Sequence, residues 1–222
     1  MTNTVFLAGA SRGVGKEVVK CLIAQNYQVK ALLRSDASRA ELEAMGIEVV
    51  LGDAMNLDEV KAVMSAGEVD AVISTIGGLP QDTVKPDYLG NKNLIDVAVS
   101  LGVKKFILVS SIGAGNSVSS LSPQALAALQ PVLIEKDKAE EYLVSSELIY
   151  TIIRPGGLKS ESATGNGVLT EDIRAVGSIN RADVAVLVCR ALISDGANNK
   201  ILSAVDKNML FGQVDFQEFS LV

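Results

Sequence analysis

The stretch Val5-Phe6-Leu7-Ala8-Gly9-Ala10-Ser11-Arg12-Gly13-Val14-Gly15 decides the fold. A short apolar run enters a glycine-rich turn, and the turn opens into a helix-like run over residues 16–25. That order builds an anion site. Glycines let the backbone approach a pyrophosphate, and the first N–H groups of the helix, with its dipole, point at the negative charge. The spacing G-x-x-x-G-x-G is a variant of the G-x-G-x-x-G fingerprint. Its context fits: a strand precedes it, a helix follows, and a second strand over residues 28–33 arrives where a ribose is met. A Walker A loop is excluded, because Ala10 stands at its first glycine and Glu17 at its Ser/Thr after Gly15-Lys16.

Outward from that unit, strand and helix patterns alternate. Strand patterns cover residues 5–8, 28–33, 47–51, 71–74, 105–110, 150–154 and 200–204. Helix patterns cover residues 13–25, 38–45, 57–66, 88–101, 133–145 and 182–194. The expectation is an α/β protein with a doubly wound parallel sheet, the Rossmann arrangement. One domain is expected over residues 1–222, with ligand loops at the C-terminal edge of the sheet. Residues 112–130 and 158–179 break the rhythm and read as such loops, each following a strand end.

Composition agrees and excludes. Hydrophobic residues make up 48 % of 222, which suits strands buried on both faces. No apolar run reaches the roughly 18 residues of a membrane span, and the chain start lacks a signal-peptide pattern. A cytoplasmic protein is expected, a monomer or small homo-oligomer. The net charge of −6 argues against nucleic acid as a partner. Histidine is absent, which removes Ser-His-Asp catalysis and imidazole metal sites; no metal is expected. Cys21 and Cys189 fall in apolar helical stretches and read as core residues.

The candidate cofactor site follows the strand ends. Gly9, Ser11, Arg12, Gly13, Val14 and Gly15 form the phosphate turn. Arg34 closes the second strand, where a carboxylate would bind a ribose 2′-hydroxyl and an arginine suits a 2′-phosphate. Arg12 can reach the same phosphate, so NADP(H) is expected over NAD(H). The plainer reading of Arg34 is a solvated strand-end charge. Asp53, with Ala54 beside it, can accept from an adenine amino group or cap the next helix. Thr75 and Gly77 end the fourth strand, where small residues let backbone lie along the cofactor. Phe211, Phe216 and Phe219 crowd the end of the chain, either packing on its own body or awaiting a partner.

Several motifs then point one way: Gly9 to Gly15, Gly52-Asp53, Asp87 to Leu94, Phe106 to Ser111, Lys138-Ala139-Glu140-Glu141 and Arg154-Pro155-Gly156-Gly157. Across nearly its whole length the chain resembles the atypical short-chain dehydrogenase/reductase superfamily, in its NAD(P)H-binding, NmrA-like branch with the biliverdin-IX-beta and flavin reductases. The last two motifs resemble the NADP-binding domain of a chloroplast protein-import subunit. The resemblance implies a Ser, Tyr and Lys constellation. Ser110 or Ser111 matches the serine, with Ser111 preferred, and Lys138 matches the lysine. Pro155, Gly156 and Gly157 would lie against the nicotinamide. The tyrosine is missing: its place is Ile134, or Val132 if Lys136 is the lysine. Reducing a ketone without an acid is slow, whereas a conjugated acceptor delocalises the incoming charge. The expected activity is therefore NADPH-dependent hydride transfer to a flavin, a biliverdin-like tetrapyrrole or a quinone. The biliverdin reductases carry a histidine where this chain has Gly157. The alternative is a non-catalytic NADP-binding redox sensor or assembly scaffold.

Overall fold

A computed structural model describes residues 4–78 and 82–221; the chain start, read above for a leader, lies partly outside them. Along the chain run β1 (Thr4–Ala8), α1 (Gly13–Ala24), β2 (Gln28–Leu33), α2 (Arg39–Ala44), β3 (Glu48–Leu51), α3 (Leu57–Met64), β4 (Ala71–Ser74) and α4 (Leu89–Leu101). Then come β5 (Lys105–Val109), α5 (Pro123–Val144), β6 (Ile149–Pro155), β7 (Gly157–Lys159), β8 (Gly167–Thr170), β9 (Ser178–Asn180), α6 (Arg181–Ile193) and β10 (Lys200–Asp206).

Eight strands form one sheet in the order β3-β2-β1-β4-β5-β6-β10-β8. All neighbours pair in parallel except β8, which closes the edge antiparallel to β10. β7 and β9 form a separate parallel pair. Strand side chains alternate between two apolar layers. Val5 and Leu7 join Val18 and Leu22 of α1 and Val184 and Val188 of α6 on one face. Phe6 and Ala8 join Met64 of α3, Leu94 of α4 and Leu143 of α5 on the other. With both faces covered, the strands read as near-continuous apolar runs. Asn56 caps α3, its Oδ1 accepting from the N–H of Asp58 (3.1 Å) and Glu59 (3.4 Å).

Two expectations need correction. The segment 112–130, read as loop, is largely helical. A 3-10 turn covers Gly115–Ser120, and α5 begins at Pro123, about three turns before the expected start at residue 133. Ser122 caps it by accepting from Ala125 N (3.2 Å), and Pro123 takes the first-turn place where no N–H is missed. Pro131 lies inside the helix, exposed. The segment 158–179 likewise holds β7, β8 and β9, strands of three or four residues, too short to show alternation.

The chain leaves β1 toward β2 and β3, then returns to β4 on the other side of β1. The strand order reverses between β1 and β4, so the connections at their C-terminal ends part there and leave a crevice.

Candidate functional site

The crevice is a cavity of about 190 Å³. Its wall brings together Gly9, Ser11 and Arg12 after β1, Arg34 after β2, Asp53 and Ala54 after β3, and Thr75 and Gly77 after β4. Leu32, Leu33, Gly52, Ile76 and Pro86 complete it. These positions lie far apart in sequence, and the parallel order alone makes them neighbours.

The glycines divide the work. Gly9 has φ +93°, and a Cβ there would fall 2.5 Å from Thr75 Oγ1. A Cβ on Gly15 would fall 2.0 Å from Gly9 O, so the first turn of α1 rests directly on the end of β1. Thr75 Oγ1 lies 3.2 Å from Ala8 O and 3.1 Å from Gly9 O, tying the β4 end to the same turn. Val14 and Gly15 are buried. Gly13, at φ +60°, faces outward, its nearest neighbour beyond the turn being the Arg181 side chain. The open side of a helix start, kept clear of Cβ atoms, fits a pyrophosphate. Arg12 and Arg34 are exposed, and neither guanidinium has a partner among the described residues. Asp53 Oδ1 accepts from Met55 N (2.9 Å), and its backbone N–H donates to Glu59 Oε2 (2.8 Å). Asn56 takes the helix cap, so Asp53 does not.

The remaining candidates lie elsewhere. Ser110 is buried and its hydroxyl hydrogen-bonds Glu140 Oε1. Glu140 in turn pairs with Arg154, whose Nη2 lies 2.5 Å from Oε2 and whose Nη1 donates to Asn116 Oδ1 (2.6 Å). Ser110 is thereby committed to a buried ionic network. Ser111 follows β5 and donates to Ile112 O (3.0 Å). Pro155, Gly156 and Gly157 sit at the C-terminal end of β6, on the same sheet edge but outside the cavity wall. A Cβ on Gly156 would strike Gly177 O at 2.2 Å, which explains that glycine by packing.

Lys138 lies away from the cavity: half-exposed on α5, it pairs with Glu135 (2.6 Å) and stands 6.0 Å above the Tyr88 ring. Lys136 instead lies beside Gly77 of the cavity wall. Its Nζ is 3.0 Å from Asp87 Oδ1, and a Cβ on Gly77 would meet that carboxylate oxygen at 3.0 Å and that amine at 3.2 Å. Asp87 is fully buried, and its Oδ2 accepts from Gly78 N (2.7 Å). Asn91 braces the same corner, accepting from Ser74 Oγ (2.6 Å) and donating to Asp87 O (2.6 Å). Motif matching favoured the lysine beside Glu140 and Glu141; helical phase, with Lys136 one turn before the buried Glu140, is the signal that finds the other.

Among the described residues no tyrosine lines this cavity. Tyr27 lines a hollow with Lys105 and Asp195, at the other end of the strands, and Tyr150 lies near the start of β6. The Tyr142 hydroxyl lies 2.5 Å from Asp96 Oδ1, and that carboxylate pushes its pKa up, away from an activated phenol. Tyr88 stacks edge-on against Tyr142 at 6.3 Å. On α5 the place four residues before Lys136 is held by Val132, which is buried. Among the described residues no acidic, cysteine or histidine cluster can hold a metal ion, and no helix is long and apolar enough to cross a membrane.

Comparison with known proteins agrees with this geometry. Residues 9–195 match the NAD(P)H-binding family. The solved structure of ChuY, described as an anaerobillin reductase from Escherichia coli O157:H7, superposes with a TM-score of 0.86 at 33 % identity, over 93 % of this chain and 98 % of that one. Sanguinarine reductase of Eschscholzia californica is 31 % identical over 89 % of this chain and 86 % of its own length. A protein of Bacillus subtilis called an uncharacterized sugar epimerase, YhfK, is 35 % identical over 88 % and 91 %.

Proposed function

The chain belongs to the NAD(P)H-binding family, and from that premise we propose that it is an NADPH-dependent reductase of a conjugated small molecule: a flavin, a tetrapyrrole or a quinone. The observation that carries this reading is buried, apolar Val132 where the superfamily's tyrosine would precede Lys136, with the Tyr142 hydroxyl held by Asp96. Two relatives with reductase in their names point the same way.

When bound, the dinucleotide supplies the hydride. The chain's part is to hold and orient it. The α1 turn receives the pyrophosphate on its free N–H groups. Arg34 and Arg12 hold the 2′-phosphate, which selects NADPH over NADH. Lys136, steadied by Asp87, meets the ribose nearer the reacting ring, and Ser111 orients the acceptor. With no group placed to protonate an alkoxide, the acceptor must spread charge over its own π-system and take its proton from water. An epimerase reading, suggested by the YhfK name, needs an acid–base phenol, and Val132 stands in its place before Lys136.

The test is steady-state NADPH oxidation over flavins, quinones, linear tetrapyrroles, aldehydes and ketones. Turnover confined to the conjugated acceptors is expected. Brisk ketone or aldehyde reduction would refute the reading, and tight NADPH binding without turnover of any acceptor would favour a sensor or scaffold.

A further inference from the structure

Arg181, the first residue of α6, played no part in the cofactor motifs. Its Nη1 donates to Ser160 Oγ (2.7 Å) and Leu158 O (3.3 Å), which fixes the plane of the guanidinium. Nε and Nη2 have no partner among the described residues. Nε lies 3.6 Å from where a Cβ on Gly13 would stand. Gly13 is the glycine of the turn whose bare face lets a pyrophosphate approach, since Gly15 is spent on packing against Gly9. Gly13, Ser160 and Arg181 line one recess of about 340 Å³, distinct from the cavity whose wall holds Arg12 and Arg34. Glu17 and Glu161 also line the recess; the Glu17 carboxylate is paired with Lys20 at 2.7 Å, and Glu161 is exposed to solvent.

We propose that Arg181 is a second anion clamp, whose Nε and Nη2 grip the dinucleotide's pyrophosphate from the α6 side while the α1 amides hold it from below. The clamp presupposes the dinucleotide reading above. It adds a residue from late in the chain to the phosphate turn formed by residues 9–15. Because the same guanidinium holds Leu158 and Ser160, it also ties the cofactor to the segment after β6.

Two ligands separate the clamp from a plain structural latch: NADPH, which carries the pyrophosphate, and 2′-AMP, which carries the adenine and the 2′-phosphate without it. Dissociation constants are measured by fluorescence or calorimetry on wild type, Arg181→Ala and Arg181→Lys, each checked for folding by circular dichroism. Losing a charge-assisted contact should weaken NADPH binding by about 10- to 100-fold in Arg181→Ala while 2′-AMP changes by less than about twofold. Arg181→Lys should fall between, because an ammonium keeps the charge but not the fork; it gives the same comparison if the alanine variant does not fold. Unchanged NADPH affinity, or equal losses for both ligands, would overturn the clamp. Wild-type protein that binds neither ligand would overturn the dinucleotide reading with it.

Discussion

At the scale of single residues, charge left without a partner is the clearest functional sign. Most basic side chains near the sheet are satisfied: Lys16 pairs with Glu41, Arg39 with Asp36, Arg154 with Glu140. Arg34 and Arg12 are not, and both stand on the cavity wall. Arg34→Ala should therefore narrow the preference for NADPH over NADH by about 1–3 kcal/mol, the worth of hydrogen bonds to a charged group. Titrating both cofactors by fluorescence reads this directly, and equal affinities in the native protein would count against it. The cysteines make a different residue-scale case. Both are free, and the Cys189 thiol hydrogen-bonds Cys21, which pulls the Cys21 pKa from 9.0 down to about 7 while Cys189 is pushed up. A lowered pKa puts the reactive thiolate within the neutral range. Cys21 should alkylate with a pH midpoint near 7, Cys189 should stay inert, and Cys189→Ala should move the midpoint upward. Mass spectrometry of iodoacetamide-labelled peptides across pH gives the answer; a midpoint unchanged by Cys189→Ala would exclude the thiol contact as the cause.

At the scale of elements, α5 shows where reading by motif and reading by phase part company. Lys136 and Lys138 are two residues apart, about 200° around a helix, so only one can face the sheet edge. Contacts choose Lys136, through Asp87 and Gly77. Lys136→Ala should raise the apparent dissociation constant for NADPH by roughly tenfold, the scale of one charged contact, and Lys138→Ala should leave it nearly unchanged. Opposite rankings in one titration series would restore Lys138. The elements legible in sequence were those whose burial imposes a period: β1, β2, β4, α1, α4 and α6 match their patterns to within a residue or two. The cavity wall was legible too, because glycine turns and a strand-end arginine carry their geometry in residue type. What escaped had no period or depended on distant partners. The early turns of α5 hide behind Pro131, and β7 to β9 are too short. Ser110 matches a catalytic serine in type and place, yet it serves Glu140 and Arg154, a pairing only the folded chain reveals. Of the tail aromatics, Phe216 and Phe219 pack on the protein's own body, while Phe211 stays 65 % exposed.

At the scale of the whole molecule, the cavity depends on the sheet more than on any one loop. β1, β2, β3 and β4 each contribute a strand end to one wall, so a ligand there bridges elements whose mutual order is set by the two apolar layers beneath. Binding should consequently stabilise the fold as a unit and not merely quiet a loop. Linkage gives the size: a ligand at a hundred times its dissociation constant adds about 2.7 kcal/mol to the folded state. For a chain of this length each kcal/mol is worth roughly 2–4 °C, so saturating NADPH should raise the melting temperature by about 5–10 °C. The same concentration of NADH should raise it less, because it brings no 2′-phosphate to Arg34 and Arg12. In Arg34→Ala the two shifts should converge, with NADPH losing ground and NADH holding its own. Differential scanning fluorimetry of both proteins with both cofactors reads all four values. If NADPH and NADH shift the native protein equally, the strand-end arginines do not select the cofactor; if neither shifts it, the crevice between β1 and β4 is not where a dinucleotide binds.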